Sequence, residues 1–312
     1  MIFTKNHIWA ICFTSALIAF TVFIALDTFV LSAAYNENAT GMNMSMFSSQ
    51  TETQNEDVQA PDETVQEQTV AVSNESSYKD GNVSITLTEY EQYGTKIYVV
   101  DVTLTSAVYL KTAFANDTYG KNVTATTSTI AEANNAILAI NGDYYGAQEK
   151  GYVIRNGIVY RSTARGADVL CIYADGTMKV VNDRDYTAEE LVENGVWQAF
   201  SFGPGLVENG SVSVNENDEV GRAKASNPRT AIGLIDANHF VFVVSDGRTD
   251  ESEGLSLYEL ATFMQGLGVK EAYNLDGGGS STMYFNGEVI NNPTSNGKIK
   301  EREVSDIVYI GY

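Results

Sequence analysis

The 312-residue chain has only two histidines and two cysteines, and it carries 19 basic against 40 acidic side chains. Each shortage removes a class of chemistry. Cys12 sits inside an N-terminal apolar run and Cys171 far along the remainder, so no disulfide can staple the region after the run and packing must stabilise it. One histidine and one cysteine in that region are too few for a zinc site. His239 is its only imidazole, on a turn between two apolar runs. A Ser-His-Asp triad built on Ser280 or Ser281 therefore lacks a base, and Gly278-X-Ser280-X-Thr282 does not have the form of a nucleophile elbow. No Gly-Lys-Ser/Thr follows Gly203-Pro204-Gly205, which excludes a nucleotide P-loop. The net charge of −21 argues against nucleic-acid binding, which needs a basic footprint. It constrains small anionic substrates less, because a pocket can be locally positive on an acidic protein.

Basic residues are also missing between Lys5 and Lys79, and this gap organises the N-terminal part. Lys5 and His7 precede an apolar run from Ile8 to Leu26, close to the ~20 residues that cross a bilayer as a helix. Asp27 separates it from Thr28-Phe29-Val30-Leu31. The run is long for a cleaved signal peptide, although Ser32-Ala33-Ala34 would suit cleavage and secretion. Residues 1–34 therefore read as a signal anchor, a single membrane pass with Lys5 inside and the C-terminal domain exported. Residues 35–77 are acidic, polar and poor in large apolar side chains, the composition of a disordered linker. Residues 78–312 remain as one folded domain with a full core.

Short β-type runs dominate that domain, including Ser84–Thr88, Lys96–Leu104, Ile137–Asn141, Val169–Tyr173, Met178–Val181 and Ile307–Ile310. The runs Thr230–Ile235 and Phe240–Val244 flank Asp236-Ala237-Asn238-His239 and predict a hairpin. Helical signals are few: Thr129–Asn135, Thr187–Asn194 with capping-box spacing at Thr187 and Glu190, and an apolar stripe through Leu257, Leu260, Phe263, Met264 and Leu267. Ser256 and Glu259 stand at the start of that stripe with the same spacing, and Gly266 or Gly268 can end it. The pattern predicts an α+β fold, a mixed and largely antiparallel sheet with a few inserted helices.

Four polar clusters end apolar runs, where a rigid scaffold presents functional groups. They are Asn141-Gly142-Asp143, Asn227-Pro228-Arg229-Thr230, Ser245-Asp246-Gly247-Arg248, and Asp276 with Gly277-Gly278-Gly279-Ser280-Ser281. Taken singly, each is ordinary turn chemistry. Jointly they are more specific, because the hairpin makes Arg229 a neighbour of Asp246 and Arg248. Guanidinium forks match phosphate oxygens, and the glycine turn can cup an anion beside Asp276. No cofactor is required by this set; a calcium or magnesium site on Asp143, Asp246 or Asp276 stays open, since hard cations need only oxygen ligands.

From about Ala125 to Tyr312 these residues, in order, resemble the phosphodiester glycosidase family, which includes the enzyme that uncovers phosphomannose by removing N-acetylglucosamine. The likeness runs through Ile140–Tyr145, Phe202–Val207, Asn227–Gly233, Ser245–Arg248, Glu253–Ala261, Asn274–Ser281 and Arg302-Glu303-Val304. Asp143 departs from the glycine common in relatives, and Asn227 from histidine. The likeness is not followed before about Ala125, a stretch that is either a first β-layer typical of the family or a lineage-specific addition. The resemblance implies hydrolysis of a sugar-1-phosphodiester, with Asp276 as nucleophile or base and Asp246 or Asp143 as its partner. Arg229 and Arg248 would hold the phosphate, and Asn141, Asn274, Gly277, Gly278, Gly279 and Ser280 would add hydrogen bonds to sugar or phosphate. Glu253 is a further candidate acid or merely a helix-leading charge. The expected substrate is a glycosyl-phosphate unit of a surface or wall polysaccharide. A metal-dependent phosphodiesterase cleaving P–O and a non-catalytic binder of anionic wall polymers are the alternatives.

Overall fold

The computed structural model describes residues 5–34, 72–74, 76–219 and 226–312. Within them the chain builds three main sheets, two two-stranded ones and a few helices, the α+β architecture expected, and every ladder is antiparallel. The large sheet has nine strands in the order 211–212, 205–208, 271–274, 230–236, 239–245, 95–104, 83–92, 77–79 and 72–74. A second sheet of five runs 288–289, 283–285, 138–141, 306–310 and 110–114. The third, also of five, runs 158–161, 153–155, 196–200, 168–173 and 178–182.

Alternating apolar side chains bring the three sheets onto one core. Val100, Val102, Ile232, Phe240 and Phe242 of the large sheet meet Leu138, Ile140, Val308 and Ile310 of the second and Leu170, Ile172 and Phe200 of the third. The opposite face of the large sheet is covered by a helix, Leu257–Gly266. Its stripe of Leu257, Leu260, Ala261 and Met264 packs on Ile97, Val99, Ala231, Val241 and Val243. The predicted capping box is present, with the Glu259 N–H donating to Ser256 Oγ at 3.1 Å and the Ser256 N–H to Glu259 Oε2 at 2.8 Å. Gly268, at φ 83°, follows the last turn in the left-handed conformation that ends helices. The other two predicted helices are Thr127–Ala133 and Ala188–Glu193, the latter also with its capping box.

The predicted hairpin pairs Thr230 with Val244 and Leu234 with Phe240. Its mouth is therefore the place where Arg229 meets Ser245, and the Ser245 N–H donates to the Arg229 carbonyl at 2.9 Å. The strands 83–92 and 95–104, which no motif placed, pair with each other and with 239–245, so they belong to the main sheet.

The N-terminal expectation needs correction. A helix spans Lys5–Phe29, but among the described residues no helix is long and apolar enough to cross a membrane. This overturns the single-pass anchor, and membrane attachment through the N-terminal helix is not supported. Asp27 interrupts the apolar run and pairs with Lys121 at 3.4 Å, Asn122 donates to the Leu31 carbonyl, and Ala33–Ala34 pairs with Gly120–Lys121. Most of the acidic linker expected at 35–77 lies outside the described residues. Its end does not, because Val72–Asn74 pairs with Ser77–Lys79 at the sheet edge.

Removing the cap of the 257–266 helix tests this packing. Ser256→Ala is expected to destabilise the protein by about 1 kcal/mol in urea unfolding with an unchanged slope.

Candidate active site

Asp276 follows the end of the 271–274 strand, where the chain leaves the large sheet. Its N–H donates to the Gly142 carbonyl at 3.3 Å, and its carbonyl accepts from Asn141 Nδ2 at 2.6 Å. Asn141 Oδ1 in turn accepts from Thr230 Oγ1 at 2.8 Å and from the Thr282 N–H at 3.3 Å. One buried amide thus ties the end of a second-sheet strand to the start of a large-sheet strand and to the glycine turn. All of its polar atoms face protein, so Asn141 builds the site rather than lining it.

The carboxylate of Asp276 is held on one side. Its Oδ2 accepts from Ser280 Oγ at 2.6 Å and from Arg302 Nη2 at 2.8 Å. Burial pushes its pKa up, and the Arg302 charge and the Ser280 hydroxyl work against that rise. Gly278, at φ 64°, lies against the second arginine of the site, since a Cβ there would come 2.8 Å from Arg248 Nη2. Glycine is what lets the turn and the guanidinium approach.

The arginines differ in availability. Arg229 is 3% exposed, donates through Nε to the Leu255 carbonyl at 2.8 Å and pairs through Nη2 with Glu219 at 3.0 Å. Burial lowers its pKa, opposed by Glu219 and reinforced by the like charge of Arg248. Arg302 is paired with Asp276. Arg248 is exposed, held only by Asn227 Oδ1 at 2.8 and 3.2 Å, and forms no ion pair among the described residues. Among the described residues it is the arginine of the cleft that no carboxylate pairs.

These groups surround a cleft of roughly 560 Å³ lined by Tyr144, Phe202, Asn227, Arg229, Arg248, Asn274, Leu275, Asp276, Gly277, Gly278 and Arg302. Of the residues expected from sequence, Asp276, Arg229, Arg248, Asn274, Gly277 and Gly278 therefore converge. Asn274 donates through Nδ2 to the Gly203 carbonyl at 2.8 Å, while its buried Oδ1 has no partner. Ser280 stands behind the cleft as the partner of Asp276, and Gly279 packs on Ser295.

Two expected catalytic acids are elsewhere. Asp143 is buried against Arg155 Nη2 at 2.9 Å and also accepts from the Tyr145 and Ser201 N–H groups. Asp246 accepts from the Asn292 N–H at 2.8 Å, from both Asn292 and Asn291 side chains, and from Tyr98. Both are structural braces, because buried carboxylates seek out every donor available. The three acids thus serve separate partner sets, and among the described residues no group of three or more histidine, cysteine or acidic side chains is placed to hold a metal ion. Glu253 is exposed and contributes its carbonyl to the Arg248 N–H. His239 lies at the far end of the hairpin beside Asp101. Arg302, Tyr144 and Phe202 were not assigned roles from sequence. All three were visible only as members of the ordered family pattern.

The pocket presents one buried carboxylate among guanidiniums on an α+β scaffold. Comparison with known proteins is more specific. The family model described as phosphodiester glycosidase matches residues 134–311, and the chain belongs to that family. It is 30% identical over 200 residues to the SPbeta prophage-derived uncharacterized protein YomE of Bacillus subtilis (strain 168), covering 62% of this chain and 31% of that protein. It is 35% identical over 138 residues to the human N-acetylglucosamine-1-phosphodiester alpha-N-acetylglucosaminidase, covering 39% of this chain and 26% of that enzyme. The chain thus spans about a third or less of these curated relatives. Among solved structures, the zebrafish catalytic domain of that enzyme, auto-inhibited by its pro-peptide, superposes with a TM-score of 0.59 at 20% identity, over 74% of this chain and 83% of that one. A hypothetical protein from Synechocystis gives 0.58 at 15% identity, over 74% and 62%. At these identities the structural likeness establishes the fold.

Asp246 and Arg248 respond differently to truncation. Asp246→Ala is expected to cost roughly 2–4 kcal/mol in denaturant unfolding, because it strands buried donors. Arg248→Ala is expected to stay within about 0.5 kcal/mol of the parent.

Proposed function

We propose that this protein hydrolyses a sugar-1-phosphodiester by breaking the bond between the anomeric carbon and oxygen, releasing the sugar and leaving a phosphomonoester. The observation that carries the reading is the meeting of Asp276 and Arg248 in one cleft. A phosphodiester brings one negative charge, and Arg248 offers a positive charge to receive it. As the bond breaks, negative charge grows on the departing phosphate and positive charge on the sugar. Arg248, with Arg229 behind it, stabilises the first. Asp276, which borders the cleft, stabilises or traps the second.

Among the described residues the cleft lining has no carboxylate besides Asp276 to act as an acid, since Asp143 and Asp246 are committed elsewhere. The chemistry accommodates this, because a phosphate ester leaves as a weakly basic anion and needs little protonation. Asn274 borders the cleft and, held through Nδ2 by the Gly203 carbonyl, shapes the wall against which the sugar lies. Tyr144 and Phe202 give the sugar ring apolar walls. Phe202 also borders a neighbouring hollow of roughly 500 Å³, room for residues beyond the phosphate, as in a glycosyl-phosphate unit of a surface or wall polysaccharide.

Hydrolysis in heavy-oxygen water tests the bond cleaved. Label is expected on the released sugar; label on the phosphate would contradict the reading. Asp276→Asn and Arg248→Ala are each expected to lower turnover by ~10² or more while remaining folded, and near-parental rates would remove that residue from the mechanism. Arg302→Ala takes away the charge that holds the Asp276 pKa down. Because the reaction uses ionised Asp276, the acid limb of its pH profile is expected to move to higher pH.

A further inference from the structure

Behind the cleft lies a buried cluster that the proposed reaction does not use directly. Arg155, 1% exposed, donates through Nη2 to Asp143 Oδ1 at 2.9 Å and through Nε to Asp306 Oδ2 at 2.8 Å. It also donates to the Ile154 and Ala199 carbonyls and lies over the Phe200 ring, 4.2 Å from its centroid. The cluster contains two carboxylates and one guanidinium, and all three are buried.

Its connection to the reacting group is short. The Gly142 N–H donates to the Asp306 carbonyl at 3.0 Å, and the Gly142 carbonyl accepts the Asp276 N–H. The Asp306 side chain occupies the space a side chain at 142 would take, since a Cβ there would sit 2.8 Å from Asp306 Cγ. Gly142 is thus pinned between Asp306 and Asp276.

We propose that Asp306 is a positioning residue for the reaction: clamped by Arg155 against the back of Gly142, it carries a proton when the site is active and so holds Asp276 in place without adding a second buried negative charge. The partner count identifies which acid takes the proton. Asp143 has three donors spread over both oxygens. Asp306 has one donor on Oδ2, and its buried Oδ1 has none. An ionised carboxyl with a stranded oxygen in a dry interior costs far more than a neutral one.

The ionisable groups facing it are Arg155 from the 153–155 strand, Asp143 and Tyr145 from the turn after 138–141, and Asp276 from the glycine turn; on the 110–114 strand it faces Phe114. Burial raises the Asp306 pKa, Asp143 and Asp276 raise it further, and Arg155 opposes them. A raised folded-state pKa gives stability that is complete below the ordinary carboxylate range and lost as pH climbs through about 7.

The test compares the full chain with Asp306→Asn, which keeps the shape and mimics the protonated form. Melting temperature from about pH 5 to about pH 8 is expected to fall in the parent and to fall less in the variant; coincident slopes would overturn the proposal. Carboxyl infrared spectra of the parent provide a measurement independent of any variant. A protonated-carboxyl band present near pH 6 and gone above about pH 8 is expected, and no such band would overturn it. The positioning role rests on the hydrolytic reading and is tested on a sugar-1-phosphodiester. Asp306→Asn is expected to lose the alkaline fall in kcat, and Asp306→Ala to lower kcat at least ~10-fold with KM unchanged. An unaltered pH profile with unaltered kcat would reject the role. Absence of hydrolysis by the parent itself would reject the functional reading, while the melting and infrared results still decide the state of Asp306.

Discussion

The carboxamide of Asn141 is the joint on which the site depends. Its oxygen receives Thr230 from the large sheet and Thr282 beyond the glycine turn, while its nitrogen holds the Asp276 carbonyl. Without that joint, the strand that delivers Asp276 and the hairpin that delivers the arginines would be placed by unrelated packing. A catalytic carboxylate must sit within a fraction of an ångström of its working position, and buried hydrogen-bond networks provide such rigidity when every member is satisfied.

The same site shows how a protein of net charge −21 can receive an anion. Arg229 and Arg302 are each matched by a carboxylate and contribute shape and local field. Arg248 is left over, at the cleft surface, where it is held by a neutral amide. Because the cleft is partly withdrawn from water, this one cation acts through a lower effective dielectric than the surface acids. The overall charge therefore says little about the ligand, and the local pairing says much.

Much of this was legible in the sequence. The hairpin followed from two β-type runs about a polar turn, the 257–266 helix from its stripe and cap, and the anion-facing carboxylate from the glycine turn after Asp276. What misled was the partner of each acid. Asp143 and Asp246 sit in the same kind of motif as Asp276, but Arg155, Asn291 and Asn292 claim them. A one-dimensional pattern does not reveal which side of a turn a carboxylate faces. Arg302, distant in sequence from Asp276, pairs with it only once the chain has folded. The membrane anchor failed because an apolar run close to the needed length was read as a span, while the helix that forms there is not long and apolar enough to cross.

The central claim is that the phosphate of the substrate rests on Arg248 while its anomeric carbon faces Asp276. A crystal structure of Asp276→Asn with an intact sugar-1-phosphodiester tests it most directly. The account predicts phosphate oxygens within hydrogen-bonding distance of the Arg248 guanidinium and the anomeric carbon turned to the side chain at 276. A phosphate bound away from Arg248, or a sugar turned away from residue 276, would contradict it.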